Sequence, residues 1–308
     1  MTDHQPPHIG LASLDQLWFQ VAGTLCNLTC HHCFISCSPH NDSFGSLSLE
    51  MVKQRLRESL PLGIKEYYFT GGEPFLNPDM TAILVETLRY GPATVLTNGT
   101  IWKDDWLEQL AHAEQASEYS LEFRVSIDGF SPQTNDPIRG RGTFDRALKG
   151  IMRLVDTGFL PIITAARTWP DRQEREVLEA FRTMLQDAGY RRPRLKILPT
   201  LKIGAEQQRS GGYMPLDRVT TAMLEGYDRS QLVCHHSRTI TDRGVHVCPI
   251  LIDAPDSLLS QSLADSAVPF RLSHGACYTC YQYGAICTNP SAGPAPQIGP
   301  PSPSQSPP

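Results

Sequence analysis

The feature that most constrains the fold of this chain is a regular alternation of β-rich and helix-forming segments. Six β-rich segments are each followed by a segment with apolar residues at helical spacing. The predicted strands are residues 17–22, 66–70, 94–97, 121–127, 161–166 and 194–199. Such alternation predicts a parallel sheet. Right-handed crossovers with the helices on one side would curl it into a partial (β/α)6 barrel, so we expect an α/β fold.

The helix-forming segments have recognisable beginnings. Ser48 is the predicted N-cap of the first helix, and Asn77 is the predicted cap of the second, with Pro78 in its first turn. A sixth helix is predicted from the spacing of Val219, Met223 and Tyr227. The other predicted helices span residues 49–60, 78–89 and 171–188, and two more lie around 106–110 and 144–155.

Composition narrows the class of protein. The chain has 308 residues, enough for one large domain and a small appendage, and its net charge is −5. No basic patch indicates nucleic-acid binding, and no apolar run reaches membrane-spanning length. The N-terminus does not resemble a signal peptide. The nine cysteines are therefore expected to be metal ligands in a reducing cytoplasm rather than disulfides.

Three of the cysteines lie close together after the first predicted strand. Cys26, Cys30 and Cys33 have the spacing C-x3-C-x2-C. Three thiolates can hold three irons of a [4Fe–4S] cube and leave the fourth iron open to a reactive ligand. A zinc site completed by His31 or His32 is the alternative. We treat the nearby Cys37 as a bystander.

A glycine-rich strand end follows about forty residues later. Gly71, Gly72, Glu73 and Pro74 come directly after the second predicted strand. Glycines let a backbone approach a ligand closely, so their carbonyls and amides can meet an ammonium group, and Glu73 can pair with the same cation. An ordinary turn is the alternative reading of these four residues.

Together, these two motifs resemble the radical S-adenosylmethionine (SAM) superfamily. The resemblance implies that Cys26, Cys30 and Cys33 hold a catalytic [4Fe–4S] cluster, and that the glycine-rich strand end grips the methionine part of S-adenosylmethionine. It also implies cofactor-binding roles for polar residues near the ends of later strands and for one arginine. The implied cofactor-binding residues are Gly71, Gly72, Glu73, Ser126, Asp128 and Arg139, with Arg141 and Arg167 as alternatives to Arg139.

Two further positions, Asn98 and His32, bear on how this chain would contact the cofactor. Asn98 follows the third strand and either contacts the cofactor or only forms the turn that continues into Gly99. His32 stands before the third cysteine, where members of the family usually have an aromatic or apolar residue. This departure puts the adenine contact at that position in doubt.

A second group of cysteines lies towards the C-terminus. Cys234 and Cys248 flank a predicted hairpin that turns near residues 242–244, and a C-x2-C pair follows. The pattern resembles the twitch extension of radical SAM enzymes, a shortened relative of the SPASM extension. The resemblance implies one auxiliary [4Fe–4S] cluster, with zinc as the alternative. Its implied ligands are Cys234, Cys248, Cys277 and Cys280, and Cys287 is either a substitute ligand or free.

These motifs divide the chain into four predicted parts. Residues 1–14 are an N-terminal extension, 15–229 the partial barrel, 230–288 a small cysteine-rich auxiliary-cluster lobe, and 289–308 a tail. The tail has eight prolines in twenty residues and is predicted to be disordered.

The resemblance also implies an activity. Electrons from an external donor such as flavodoxin or ferredoxin would drive cleavage of S-adenosylmethionine to a 5′-deoxyadenosyl radical, which abstracts hydrogen from a substrate. Because only about sixteen residues precede the first strand, too few for a folded leader-binding domain, we expect net oxidation of a small molecule. The alternatives are a maturase that crosslinks or oxidises a ribosomal peptide or protein, a cofactor-biosynthesis enzyme, and a non-catalytic iron–sulfur carrier or zinc scaffold.

Overall fold

The computed structural model describes residues 5–284 and 286, and its largest element is a nine-stranded sheet. All six predicted strands are present in that sheet, so the predicted α/β fold is confirmed. The strands of the described residues are β1 (His8–Ile9), β2 (Gln16–Gln20), β3 (Glu66–Thr70), β4 (Ala93–Thr97), β5 (Leu121–Ser126), β6 (Ile162–Ala166), β7 (Arg194–Leu198), β8 (Ser237–Thr241), β9 (Gly244–His246), β10 (Leu258–Ser260) and β11 (Phe270–Arg271).

The sheet is a partial barrel of parallel strands with an antiparallel extension. Its order is β10-β9-β8-β2-β3-β4-β5-β6-β7, and β2 to β7 run parallel in sequence order. β8 pairs in parallel with β2, and β9 and β10 complete an antiparallel edge, with the predicted hairpin joining β8 to β9. A short sheet of β1 and β11 lies outside it. The carboxyl ends of β2 to β7 therefore meet on one side of the sheet.

The helices follow the strands much as predicted, with three differences. Those of the described residues are α1 (Leu49–Ser59), α2 (Met80–Thr87), α3 (Asp104–Gln115), α4 (Pro132–Arg139), α5 (Thr143–Asp156), α6 (Glu174–Asp187), α7 (Ala205–Ser210) and α8 (Gly275–Tyr283). Ser48 caps α1 as predicted, since its side chain accepts a hydrogen bond from the Met51 amide. The first difference is that the prediction missed three helices: α4, which begins at a proline after Ser131, and also α7 and α8.

The second difference is the start of α2, where Asp79 rather than Asn77 is at the N-cap position, without a capping hydrogen bond from its side chain. The Asn77 side chain is buried. Its amide nitrogen donates to the carbonyls of Val21 and Leu47, at 2.7 and 2.8 Å, and its side-chain oxygen accepts from the Asp79 amide at 2.8 Å. Asn77 therefore makes tertiary contacts and also accepts a backbone amide just before the helix begins.

The third difference is that the predicted sixth helix is wrong. Its segment contains only a single 3₁₀ turn, Ala222–Leu224. Gly226 follows with φ of 69°, a left-handed conformation that stops helices. Val219 and Leu224 are nevertheless buried in the apolar core of the C-terminal region. Apolar residues in this segment are thus explained by burial in that core, although the segment does not form a helix.

The buried apolar side chains form three clusters. The largest packs the parallel strands against α1, α2, α3, α5 and α6, and all of β2 is buried. A second cluster packs Ile9 and residues from 201 to 286 around Cys248, Cys277 and Cys280, and a third lies around Cys26 and Cys37. Buried parallel strands read as nearly continuous apolar runs, as β2 and β6 do.

Some predictions are not decided by this architecture. The boundaries of the four predicted parts stay predictions, although β8 from beyond residue 229 joins the main sheet. Cys287 and the proline-rich tail lie outside the described residues. Across the part of the chain that the structure describes, no helix has the length and apolar character needed to cross a membrane.

Candidate active site

A deep cleft opens at the carboxyl ends of the parallel strands. It encloses about 1380 Å³, including its open mouth, and its walls are mostly apolar. Ligands bind at this side of parallel α/β folds because the loops that follow the strands converge there. The predicted site residues that line the cleft are Cys26, Cys30, Cys33, Gly71, Gly72, Asn98, Ser126 and Arg139.

The three clustered cysteines contribute their side chains to one wall of the cleft. Backbone amides hydrogen-bond to two of the sulfurs: Leu28 N donates to Cys26 Sγ at 3.4 Å, and Cys37 N donates to Cys33 Sγ at 3.3 Å. Burial raises the pKa of Cys26 to about 12 and that of Cys30 to about 11. Thiols in this setting gain from a metal that holds them as thiolates.

Cys33 behaves differently because of its neighbour. A hydrogen bond from the Cys37 side chain lowers the pKa of Cys33 despite its burial, and the same contact raises the pKa of Cys37. Cys37 therefore keeps its proton and donates to the Cys33 sulfur. Cys37 therefore contacts one of the three clustered cysteines through its thiol, and its role as a bystander stays a prediction.

The glycine-rich strand end is packed directly against the cysteine loop. The Gly72 amide donates to the Gly23 carbonyl and the Glu73 amide to the Leu25 carbonyl, both at 3.0 Å. A Cβ atom at Gly72 would lie 1.9 Å from the Leu25 oxygen, a separation that no side chain tolerates. Gly71 has φ of 144°. The glycines are thus required to bring the two motifs together at the cleft.

Glu73 lies beneath this contact and is fully buried. Its carboxylate accepts hydrogen bonds from Thr97 Oγ1 at 2.6 Å, from the Asn98 amide at 2.7 Å and from the Phe75 amide at 3.2 Å. Burial raises its pKa to about 7, and these hydrogen bonds oppose the rise. The carboxylate joins the ends of β3 and β4, whereas its predicted contact with a cofactor ammonium stays a prediction.

Asn98 bridges the end of β4 and the cysteine loop. Its side-chain nitrogen donates to Asn27 Oδ1 at 2.8 Å, and its side-chain oxygen accepts from the Thr100 amide at 2.9 Å. The second contact forms the turn that the sequence suggested, and Gly99 follows with φ of 69°. The residue both shapes that turn and lines the cleft.

Asp128 connects three segments of the site. One carboxylate oxygen lies 2.7 Å from His32 Nε2 and 2.5 Å from Arg139 Nε, and the other accepts from the Ala166 amide at 2.7 Å. Although burial opposes it, the charges of Arg139 and His32 hold the pKa of Asp128 below its usual range. Asp128 therefore remains ionised and ties the cysteine loop and α4 to the ends of β5 and β6.

Sequence reasoning missed several residues of the cleft. It did not pair His32 with Asp128, and it did not identify the inward-facing Trp18, Arg124 and Thr164 as cleft residues. Period-two alternation along β5 and β6 would have found the last two, since Arg124 precedes Ser126 by two positions. No local signal could have found the pairing with His32, because the partners lie about a hundred residues apart.

Four C-terminal cysteines line a second, apolar cavity of about 340 Å³. Cys234 lies in a 3₁₀ turn, Cys248 follows β9, and Cys277 and Cys280 are one turn apart on α8. The sequence predicted this grouping, and all four thiols are brought together. Burial raises the pKa of Cys234 to about 12 and that of Cys277 well above its ordinary value.

The two cysteine groups are suited to clusters. Within the described residues, no three His, Cys, Asp or Glu side chains form a group that could hold a single metal ion. A [4Fe–4S] cube needs no such convergence, because each thiolate binds a different iron. Its sulfurs need only face a common space, as they do at both cavities. Gly71 and Gly72 line the same cleft as the first group, so their backbone borders the space that a ligand on an open iron would occupy.

Comparisons with known proteins agree with this geometry. A family model described as the radical SAM superfamily matches residues 21–184. The subtilosin biosynthesis protein AlbA of Bacillus subtilis is 33% identical over 135 residues, covering 43% of this chain and 29% of AlbA. The mycofactocin maturase MftC of Mycobacterium tuberculosis is 32% identical over 135 residues, covering 44% of this chain and 33% of MftC. The chain thus matches about a third of these relatives' length.

Solved structures share the fold at low sequence identity. Streptococcus suis SuiB bound to its precursor peptide SuiA superimposes with a TM-score of 0.61 at 14% identity, covering 88% of this chain and 71% of SuiB. The structure of anSMEcpe with bound AdoMet gives a TM-score of 0.59 at 17% identity, covering 80% of this chain and 77% of that one. At these identities the likeness concerns the fold alone.

Proposed function

This chain belongs to the radical SAM superfamily, and from that premise we propose that it is an enzyme that cleaves S-adenosylmethionine reductively in the cleft at the strand ends. The observation that carries the proposal is the arrangement of that cleft. Three cysteines at C-x3-C-x2-C spacing and a glycine strand end pack against each other and line the same space. A carrier or scaffold would need the cysteines and their packing, but not polar residues such as Ser126 and Arg139 lining a wide cleft beside them.

The residues of the cleft have distinct places in this proposal. Cys26, Cys30 and Cys33 would hold a [4Fe–4S] cluster. Gly71 and Gly72 would offer backbone groups to the methionine end of S-adenosylmethionine, with Asn98, Ser126 and Arg139 lining the remaining wall. The cluster and S-adenosylmethionine, when bound together and reduced by one electron, would supply a 5′-deoxyadenosyl radical that abstracts hydrogen from a substrate.

The chain's own contribution is positioning and exclusion of water. Asp128 orients Arg139 towards the cleft and anchors His32 of the cysteine loop. Glu73 fixes the Asn98 backbone and so sets the distance between two strand ends. The mostly apolar walls, including Trp18 and Leu201, keep water from a reactive intermediate. These positioning roles of Asp128 and Glu73 are separate from their predicted contacts with the cofactor, which stay predictions.

The second cysteine group would hold an auxiliary [4Fe–4S] cluster. Cys234, Cys248, Cys277 and Cys280 are the proposed ligands, and they share one cavity. Such a cluster can accept the second electron of a net substrate oxidation, with an external donor such as a flavodoxin or ferredoxin reducing the first cluster. We retain the predicted division at residues 229 and 230 between barrel and lobe, and a cytoplasmic location, as parts of this proposal.

Two substrate classes are supported by different observations. The names of AlbA and MftC describe a bacteriocin biosynthesis protein and a maturase, and SuiB was solved with a precursor peptide, which favours a peptide substrate. An AdoMet-dependent heme synthase of Methanosarcina barkeri is 34% identical over 172 residues, covering 53% of this chain and 45% of the synthase, and it favours a small molecule. Peptide maturation is our first candidate, and small-molecule oxidation is the second.

The test is made on anaerobically reconstituted, dithionite-reduced protein with S-adenosylmethionine. We expect about eight irons and eight sulfides per chain and slow formation of 5′-deoxyadenosine. Cys30→Ala should abolish 5′-deoxyadenosine formation, and Cys277→Ala should lower the iron content to about four while the first cluster remains. Zinc without sulfide, or two clusters without any cleavage of S-adenosylmethionine, would contradict the proposal.

A further inference from the structure

A polar cavity adjoins the cleft and contains none of the cysteines. It holds about 240 Å³ between the loops that follow β6 and β7 and the helix α8. Pro199 and Thr200, directly after β7, line both this cavity and the cleft. The two spaces therefore meet at this segment, so one extended molecule at the mouth of the cleft can reach both.

Positive charge predominates among the side chains of this cavity. Arg167 and Lys202 line it, against a single carboxylate from Asp217 that already accepts a hydrogen bond from the Met214 amide at 2.8 Å. The Arg167 guanidinium also lies 3.5 Å from Glu174, a long and half-exposed ion pair. A ligand carboxylate at hydrogen-bond distance would lie closer to this guanidinium than Glu174 does.

Aromatic rings hold both cations at the wall of the cavity. Arg167 lies over the ring of Tyr283 at 5.7 Å, and Lys202 lies over the ring of Tyr213 at 5.8 Å. The Tyr213 hydroxyl shares a 2.6 Å hydrogen bond with Thr279 Oγ1, which fixes that ring to α8. Both cations therefore come from loops that follow strands of the sheet, and α8 contributes Tyr283 and Thr279 on the facing side.

The ring of Trp169 lines the same space, and it packs on the ring of Phe181 with 6.1 Å between the ring centroids. Its Nε1 is inaccessible to solvent, so an oxygen that enters the cavity does not reach that atom. The ring is therefore placed to report on whether the cavity is occupied, while the binding groups are the two cations.

We propose that this cavity is a substrate subsite that binds a carboxylate carried by the substrate, with Arg167 and Lys202 as the donors. The proposal rests on the proposed function, since it is the cleft that makes the neighbouring molecule a substrate. It applies to both candidate classes, because a peptide with an acidic residue and a small organic acid present the same group. A guanidinium and an ammonium suit carboxylate oxygens.

The experiment uses Trp169 as the reporter of binding. The chain has four tryptophans, so 5-fluorotryptophan gives four ¹⁹F signals, and Trp169→Phe identifies the one of interest. Reconstituted, oxidised protein is titrated with glutarate, with the neutral diamide glutaramide and with inorganic phosphate. We expect glutarate to shift the Trp169 signal saturably and glutaramide to leave it unchanged. Arg167→Gln and Lys202→Gln should each weaken glutarate binding about tenfold, and Arg172→Gln, at a neighbouring exposed arginine, should not.

The possible outcomes separate this inference from the proposed function. Equal shifts with glutarate and glutaramide, or no saturable shift, overturn the subsite, and tighter binding of phosphate than of glutarate overturns its assignment to carboxylates. Formation of 5′-deoxyadenosine is measured on the same samples without a substrate. If it forms while glutarate does not bind, only the subsite fails. If glutarate binds and no 5′-deoxyadenosine forms, only the proposed function fails.

Discussion

At the scale of single residues, the cleft depends on side chains that do not face it. Asp128 is fully buried, and its two oxygens serve His32, Arg139 and the Ala166 amide. His32 lies between two cluster cysteines, so this carboxylate connects the cysteine loop with an arginine of the cleft. Residues that orient metal ligands typically change metal affinity or activity by about 10–100-fold when substituted.

Asp128→Asn should therefore impair the cofactor site without unfolding the protein. The amide keeps an acceptor for Ala166 but loses the negative charge that pairs with Arg139 and His32. We expect S-adenosylmethionine to bind about tenfold more weakly to the reconstituted protein, measured by calorimetric titration. Asp145→Asn, at an exposed position of α5, is the matched control. Unchanged affinity in Asp128→Asn would show that Arg139 needs no such orientation.

At the scale of elements, the critical contact is between the strand end after β3 and the cysteine loop. Two backbone hydrogen bonds join them, and the Gly72 Cα packs on the Leu25 carbonyl. A side chain at Gly72 can be accommodated only if one of the two segments moves. Because Cys26 follows Leu25 directly, such a movement displaces a proposed cluster ligand.

The Gly72→Ala variant is thus expected to hold less iron than the parent protein while it remains folded. We predict less than half the iron and sulfide of the parent's first cluster after reconstitution, with little change in far-ultraviolet circular dichroism. Gly10→Ala is the matched control, since no atom lies within 4 Å of the position its Cβ would take. Full iron content and normal cleavage of S-adenosylmethionine in Gly72→Ala would mean that this close packing is dispensable.

The elements also show what a sequence can predict. The six parallel strands and the Ser48 cap were predicted because their signals are local, in alternation and in a capping side chain. The start of α2 was not, since Asn77 makes tertiary contacts and Asp79 is at the N-cap position. The same holds for the site: the cysteine and glycine motifs are continuous in sequence, whereas the pairing of His32 with Asp128 brings together segments with no shared local pattern.

At the scale of the whole molecule, the barrel and the C-terminal region share one sheet. β8 pairs with β2 from Gln16↔Ser237 to Phe19↔Ile240, so the last third of the chain covers the edge of the first strand of the barrel. The buried Arg238 of β8 also donates to the carbonyls of Cys234 and Ser266, at 2.9 Å each. The strand that completes the sheet thus supports a proposed cluster ligand. No sequence pattern indicated this pairing, because its partners lie more than two hundred residues apart.

This continuity gives a prediction for a shortened chain. Ending the protein at residue 229 should leave an insoluble or aggregating product, because β2, which is buried along its whole length, would become an apolar, unpaired edge strand. Ending it at residue 288 removes only the proline-rich segment and should preserve solubility and about eight irons per chain. Size-exclusion chromatography with iron analysis distinguishes the two. A monomeric 1–229 product that holds about four irons would show instead that the barrel folds independently of β8 and that the boundary predicted from the sequence is also a folding boundary.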